Sequence, residues 1–360
     1  MGARKTDGTR QGQDKAVSRR AFLGGTAAVG GAVALSGLAA CSPDSETKET
    51  PAPSGASGGQ AGPAEGWSWD TPPAPIADGD IAETIDADIA VVGAGISGCA
   101  AACRASQLGA NVVVVEKMGF PSSRGGHYGA YQTNAMTRND MTNDPMDQIA
   151  SEWLRFEGNR AKQKIIYRYL ERSSEVINWL EDYSKEFTEG GLVVTPITTH
   201  YVGPYYYEHI GTHTISGPGP MMPGMGYPEN ENNINAPVYF MWKQAEANGA
   251  QFLFNTPAEQ LVQDSSGKVT GVIAKKEDGT YVKINAAKGV LLASGDFSGD
   301  EEMREAYCDP ISLKCDSFSY TPPGANTGDG QKMAMWAGAH MFLGEHCSPS
   351  MMHLIRFAML

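Results

Sequence analysis

Residues 88–98, Asp-Ile-Ala-Val-Val-Gly-Ala-Gly-Ile-Ser-Gly, limit the possible folds more tightly than any other part of this 360-residue chain. Asp88 to Val92 is a short apolar run of strand type, and it opens directly into Gly93-Ala94-Gly95-Ile96-Ser97-Gly98. The spacing predicts a strand, a tight turn and a helix, with a separate task for each glycine. Gly93 permits the turn, Gly95 lets backbone approach a pyrophosphate, and Gly98 lets helix and strand pack closely. The helix start then offers free N–H groups and a partial positive charge to phosphate. The pattern continues through Ala102 and Gly109 into Asn111-Val112-Val113-Val114-Val115 and ends in Glu116. An acid eighteen residues beyond the third glycine is placed to accept hydrogen bonds from ribose hydroxyls. Strand, turn, helix, strand and acid in this order predict a Rossmann-type βαβ unit holding FAD or NAD.

Two features favour FAD. Lys117 follows the acid, and a short loop later comes Ser123-Arg124-Gly125-Gly126-His127-Tyr128-Gly129-Ala130, where a glycine pair lets backbone run beside a bulky cofactor. His127 in that turn either donates to flavin or substrate or makes a structural hydrogen bond. The second feature is a compact β unit over residues 251–299. Strands are predicted at Gln251–Asn255 and Val269–Ala274, joined through Ser265-Ser266-Gly267, and Asp278-Gly279 signals a hairpin before Tyr281–Ile284. Gly289 to Asp296 reads as a buried strand running into a glycine turn. The fold class is therefore α/β, a Rossmann-like βαβ unit with a β-meander.

Elsewhere, residues 146–158 and 161–187 read as helices. In the second, Ile165, Tyr169, Val176, Ile177, Leu180 and Tyr183 form one core-facing stripe. Pro237 starts a further helix through Gly249. Residues 195–236 between them read as a long Gly/Pro/Tyr/His loop. Its Tyr201, Tyr205, Tyr206, Tyr207, Met221, Met222 and Met225 either touch flavin or an apolar substrate or pack on the surface. His209 and His213 flank Gly211 with no helix to align them, so no metal is expected.

The net charge of −13 understates the acidity of the body, because residues 1–40 carry six Lys/Arg against two Asp/Glu, leaving −17 for the rest. That excludes a nucleic-acid partner. No uninterrupted apolar run reaches the ~18–20 residues of an ordinary membrane span. The six cysteines form no CxxC and read as thiols without a cofactor. A cluster on Cys308, Cys315 and Cys347 would need a fourth ligand from elsewhere.

Ser18-Arg19-Arg20-Ala21-Phe22-Leu23, a weakly apolar Gly/Ala run, and Leu38-Ala39-Ala40-Cys41 follow one another at the N-terminus. This resembles a twin-arginine export signal over residues 1–40 that ends in a lipobox. It implies lipidation at Cys41 and anchorage to the outer face of a bacterial cytoplasmic membrane. Residues 42–80 hold seven prolines and six glycines and read, with Cys41, as a disordered tether in which Trp67 and Trp69 are exceptions, either docked onto the domain or, as the composition favours, exposed.

Several further stretches carry a family resemblance: Asn255-Thr256-Pro257-Ala258 with Leu261-Val262, Gly267 to Val272, Ala293-Ser294-Gly295-Asp296-Phe297, and Asn326-Thr327-Gly328-Asp329-Gly330. Together with Gly93–Gly98, Glu116-Lys117 and Gly125-Gly126, they make residues 85–345 similar to the fumarate reductase/succinate dehydrogenase flavoprotein superfamily. The resemblance implies an FAD-binding domain of glutathione-reductase type over residues 81–345. It places FAD against Gly93, Ala94, Gly95, Ile96, Ser97, Gly98, Glu116, Lys117, Gly125, Gly126, His127, Ala258, Ser294, Gly295 and Asp329. The implied reaction passes a hydride between flavin and a carbon–carbon bond beside an electron-withdrawing group. The chain carries neither a haem motif nor a Ser-Gly-Ala-Thr flavin attachment site, so a separate redox protein is expected to supply electrons.

Three departures shape the expectation. Ala293-Ser294-Gly295-Asp296 replaces the family's Ala-Thr-Gly-Gly and keeps the turn. Glu345-His346-Cys347-Ser348-Pro349-Ser350 replaces a Gln-x-His-Pro-Thr stretch that meets the substrate carboxylate, which points to a small-molecule substrate other than fumarate. In the family, the capping domain, the proton-delivering arginine and a final Gly-rich turn lie beyond the position of Leu360. Residues 346–360 would begin that cap, the catalytic residue is unassigned here, and these 360 residues alone are expected to hold FAD without turnover. The alternatives are a dehydrogenase or oxidase of steroid-like or amino-acid substrates on the same scaffold, and a non-catalytic flavin-binding lipoprotein.

Overall fold

Valine-rich strand segments form the centre of the main sheet. A computed structural model describes residues 66–121, 127–156, 158–187, 191–197, 211–217, 236–308, 313 and 324–341. Strand β1 (Ile81–Val92) and strand β2 (Val112–Val115) pair in parallel, Ile89 opposite Val112 and Val92 opposite Val115, with helix α1 (Ile96–Gln107) between them in sequence. All four valines of β2 are buried, as expected for a parallel strand covered on both faces. On one face Val91, Val112 and Val114 meet Cys99, Ala102 and Cys103 of α1. On the other, Ala90, Val92, Val113 and Val115 share a core with residues from later strands. Each fully buried valine contributes about 1.5–3 kcal/mol.

The chain then builds a side layer from β3 (His127–Gly129), α2 (Asn134–Arg138), α3 (Met146–Phe156), α4 (Gln163–Lys185), β4 (Val193–Pro196) and β5 (Thr212–Ser216). The three strands form an antiparallel sheet in the order β3-β5-β4. Helix α5 (Ala236–Ala247) returns the chain to the main sheet, where β6 (Gln251–Leu253) pairs in parallel with β2. Strands β7 (Ala258–Gln263), β8 (Val269–Lys275) and β9 (Tyr281–Leu292) follow as an antiparallel meander, then helices α6 (Glu301–Tyr307) and α7 (Asp329–Trp336). The main sheet runs β6-β2-β1-β9-β8-β7.

Several expectations change. Ser265-Ser266-Gly267 joins β7 to β8, not β6 to β8, because Ala258–Gln263 is itself a strand. The meander's last strand and the returning parallel strand are one continuous β9. It pairs with β8 on one edge and, from Tyr281 to Leu292, with β1 on the other. A register shift opposite Ala87–Ile89 and a φ of +136° at Gly289 absorb the irregularity between its two halves. β1 starts at Ile81 rather than Asp88, since its partner β9 extends that far.

The apolar stripe of α4 is split. Ile177, Leu180 and Tyr183 are buried, whereas Ile165 is 65 % and Val176 53 % exposed. The buried face runs through Ile166, Leu170 and Ser173 instead, because Ile166 and Leu170 pack on Ile149 and Ala150 of α3. The long loop expected over 195–236 contains β5, whose Thr-His-Thr-Ile-Ser alternates intermediate and buried positions. His213 on that strand is fully buried. Its Nδ1–H donates to the Tyr128 carbonyl (3.1 Å), and Nε2 shares a hydrogen bond with Thr133 Oγ1 (2.8 Å). Burial lowers its pKa, so the ring is a neutral link between the strands and Thr133, the N-cap of α2. His209 and the Tyr and Met residues of 201–225 lie outside the described residues.

The other difference is at the leading segment. Trp69 is 4 % exposed and belongs to a cluster with Phe297, Met303 and Cys308, with Trp67 packed against it. Residues 66–80 lie along the domain, where Gln260 accepts from the Ile76 N–H (3.0 Å) and donates to the Ala74 carbonyl (2.6 Å). Of the two readings of these tryptophans, docking holds and the favoured exposure fails, because an aromatic pocket between α6 and α7 receives them, some 230 residues later in the chain. Among the described residues, no helix is long and apolar enough to cross a membrane. Cys99, Cys103 and Cys308 are buried, and no metal-holding group occurs among the described residues. Cys315, Cys347 and Cys41 lie outside them.

Candidate cofactor site

The carboxyl ends of β1, β2 and β9 open onto one cleft of about 440 Å³. Ligands in open α/β sheets bind outside strand ends of this kind. Gly93, Gly95, Ile96 and Ser97 form one wall, Glu116, Lys117 and Met118 a second, and Leu292 to Asp296 a third, closed by Ala258, Ala325, Asn326 and Asp329.

The glycines act by steric exclusion. Gly93 has φ +99°, and a Cβ there would lie 2.5 Å from the Ala293 carbonyl oxygen. Gly98 does not line the cleft. It sits beneath the turn, where a Cβ would come within 1.9 Å of the Gly93 carbonyl oxygen and 3.4 Å of the Val91 side chain. α1 can therefore start hard against β1, and no side chain caps its N-terminus at Gly95. The first-turn N–H groups are left for an anion.

Glu116 organises the second wall. The Ala94 N–H donates to its Oε2 at 2.6 Å and the Met118 N–H to its Oε1 at 2.8 Å. Ala94 thus serves through its backbone and is itself buried. Burial raises the Glu116 pKa, and the two N–H bonds oppose that shift. Lys117 turns across the cleft, donating to Thr327 Oγ1 and Asp329 Oδ2, both at 2.8 Å. Behind the third wall, Gly330 lets α7 approach Ser294 so closely that a Cβ would fall 2.0 Å from Ser294 Oγ. Gln331 Nε2 donates to the Gly295 carbonyl at 2.9 Å.

The structure thus brings Gly93, Gly95, Ile96, Ser97, Glu116, Lys117, Ala258, Ser294, Gly295 and Asp329 to one cleft, with Ala94 and Gly98 supporting it. His127 contributes backbone to β3, opposite Thr214 of β5. Gly125 and Gly126 lie outside the described residues. Met118, Asp296 and Asn326 line the cleft without having been expected there. Met118 adjoins Lys117, while Asp296 and Asn326 lie within the Ala293–Phe297 and Asn326–Gly330 motifs, and that membership is the signal that finds them. The cleft fits FAD on its own observations: an uncapped helix start, glycines at 93 and 98 where an added Cβ would overlap backbone, and a half-buried carboxylate at the second strand end. Beneath it, burial raises the pKa of both α1 thiols, Cys103 to about 12, so neither supplies a thiolate.

Comparison with known proteins gives the same answer. The sequence pattern of the FAD binding domain family matches residues 88–356. The chain is 29% identical over 262 residues to urocanate reductase of Eggerthella lenta, which covers 72% of this chain and 39% of that protein. It is 25% identical over 258 residues to vinyl phenol reductase of Lactiplantibacillus plantarum, covering 71% and 46%. The chain thus spans less than half the length of these two curated relatives. Among solved structures, the open conformation of a flavocytochrome c3 fumarate reductase matches with a TM-score of 0.56 at 24% identity, over 76% of this chain and 45% of that one.

Proposed function

Because this chain belongs to the FAD binding domain family, within the fumarate reductase/succinate dehydrogenase flavoprotein superfamily, we propose that it serves an FAD-dependent oxidoreductase reducing an activated carbon–carbon double bond. The observation that carries the reading is the cleft at the ends of β1, β2 and β9, with its uncapped helix start and half-buried Glu116. FAD supplies the hydride-transfer chemistry when bound. The residues of this chain would hold and orient it: the α1 turn would take the phosphates, Glu116 the ribose, and the Ser294–Asp329 wall the remainder. The names of the two relatives, reductases of urocanate and of vinyl phenols, support an alkene beside an aromatic or carboxylate group. The mismatch at Glu345–Ser350 favours a substrate other than fumarate.

The test isolates the protein from its source cells with FAD bound, reduces it, and offers acrylate-, cinnamate- and enone-type alkenes. Loss of alkene absorbance with flavin reoxidation is the expected result. No alkene loss overturns the reductase reading.

The ordered signals around Arg19-Arg20 and Leu38–Cys41 support export by the twin-arginine route and lipid anchorage outside the cytoplasmic membrane, followed by a tether that joins the domain by about residue 66. A separate redox protein would then deliver electrons at the membrane face. Replacing Cys41 by alanine is expected to abolish incorporation of labelled palmitate and to release the protein from the membrane fraction. Undiminished labelling of Cys41→Ala sinks the lipobox reading.

A further inference from the structure

Trp67-Ser68-Trp69 precedes the family-matched region, which begins at residue 88, and the cofactor cleft does not include it. We propose that Trp69 is a positioning residue for the cofactor: it clamps α6 and α7 together, so that the first turn of α7 holds the Asp329 wall of the cleft in place. The inference goes beyond the proposed reaction and rests on FAD occupying that cleft.

The Trp69 ring stacks between Trp67 (5.3 Å between centroids, 3° between planes) and Tyr307 of α6 (5.8 Å, 28°). The same short segment grips both helices through its backbone. The Ser68 N–H donates to Glu302 Oε1 at 2.6 Å, and Trp336 Nε1 donates to the Trp69 carbonyl at 2.8 Å. Lys332 of α7 lies 5.9 Å from the Trp69 ring and donates at 2.6 Å to Asp300, the N-cap of α6. These contacts meet around one buried aromatic side chain, the arrangement in which a single truncation loosens everything packed on it.

From this cluster the path to the cleft is two contacts long. Phe297 and Met303, both beside Trp69 in the core, press on Gly328, the residue before α7. A Cβ there would meet Met303 Sδ at 2.1 Å. Directly after it, Asp329 lines the cleft, Gly330 lies against Ser294, and Gln331 holds the Gly295 carbonyl. The position of α7 thus sets the distance between the Asp329 wall and the Lys117 wall, which the Lys117–Asp329 ion pair spans. A leading segment outside the βαβ unit in this way determines how firmly that unit holds FAD.

The test uses the 360-residue chain with Trp69→Ala, Trp69→Phe and Trp336→Phe. It is run at a temperature where circular dichroism shows the apo protein folded. FAD dissociation constants, visible-region circular dichroism of the bound flavin, and hydrogen exchange of the apo chain are read together. Trp69→Ala is expected to weaken FAD about tenfold, within the range usual for coupling between separate sites. It should also alter the flavin signal and speed exchange over residues 329–333 while leaving 96–107 unchanged. Trp69→Phe should recover most of the affinity. If Trp69→Ala does not fold, Trp336→Phe decides; it keeps an aromatic ring on α7 while removing the hydrogen bond to the Trp69 carbonyl and part of the indole's packing, and should weaken FAD roughly threefold. A folded deciding variant with parental FAD affinity overturns the clamp, whatever its melting temperature. A parent chain that binds no FAD overturns the cofactor reading and the clamp with it.

Discussion

Replacing Gly98 by alanine is expected to abolish stable FAD binding and to destabilise the apo chain by about 3 kcal/mol. The added methyl would sit 1.9 Å from the Gly93 carbonyl oxygen and 3.0 Å from its carbon. Both are backbone atoms of the turn that starts α1, so no side-chain rotation relieves the overlap. Either α1 lifts from β1 or the Gly93–Gly95 turn opens, and both movements displace the N–H groups aimed into the cleft. A loss of about 3 kcal/mol in binding corresponds to more than ~100-fold in dissociation constant. Flavin fluorescence titration and apo melting curves measure the two effects. Gly79→Ala, with no atom within 4 Å of the added carbon, is the control and should match the parent in both. FAD bound by Gly98→Ala at parental affinity would falsify the steric account of the fingerprint.

The second large effect concerns Glu116. Removing the carboxylate in Glu116→Ala strands the Ala94 and Met118 N–H groups, each bonded to a charged acceptor. Bonds of this kind contribute roughly 1.5–3 kcal/mol apiece, so a loss of about 3–6 kcal/mol is expected, with FAD binding lost as the wall relaxes. The same residue gives a pH dependence whose sign follows from its environment. Burial raises its folded-state pKa above the ordinary glutamate value, so the folded protein binds the proton more tightly than the unfolded chain. The contribution of this carboxyl to apo stability is therefore fully present below the unfolded pKa. It is lost as pH rises through the raised folded value. Glu116→Gln carries no such titration. Thermal melts of the apo chain from pH 4 upward should show the parent losing ground against Glu116→Gln over that window. Parallel pH profiles for the two proteins argue that the burial cost is absent. Bound FAD is expected to offset part of the cost, because the ribose hydroxyls supply further donors to the charged form.

Much of the site was readable residue by residue. The first wall of the cleft follows from Gly93, Gly95 and Gly98, since a glycine requirement is set by atoms a few positions away. Glu116 follows from its place at the end of a four-valine strand. Lys117 was also found, but its role was not. It reaches Asp329 and Thr327 across the cleft, more than 200 residues on, and no local rule joins those positions. Ser294 and Gly330 tell the same story: each was recognised in its own motif, while the contact that makes both small residues necessary exists only once α7 lies on the end of β9.

By itself, the sequence determined the βαβ fingerprint, the parallel placement of β1 and β2, the helix beginning near Pro237, and the turns at Gly267 and Asp278-Gly279. These depend on steric limits and hydrogen bonds within a few residues, as in the Thr280 N–H donating to Asp278 Oδ1 at the tip of the β8–β9 hairpin. Only the tertiary structure decided that β9 runs unbroken for twelve residues, that the buried face of α4 is turned toward Ile166 and Leu170, and that His213 is a neutral strut on a strand. It also decided that Trp69 closes a core between α6 and α7. The physical reason is common to all four. Burial is a property of a pair of surfaces, and a sequence pattern shows one surface without showing what will cover it.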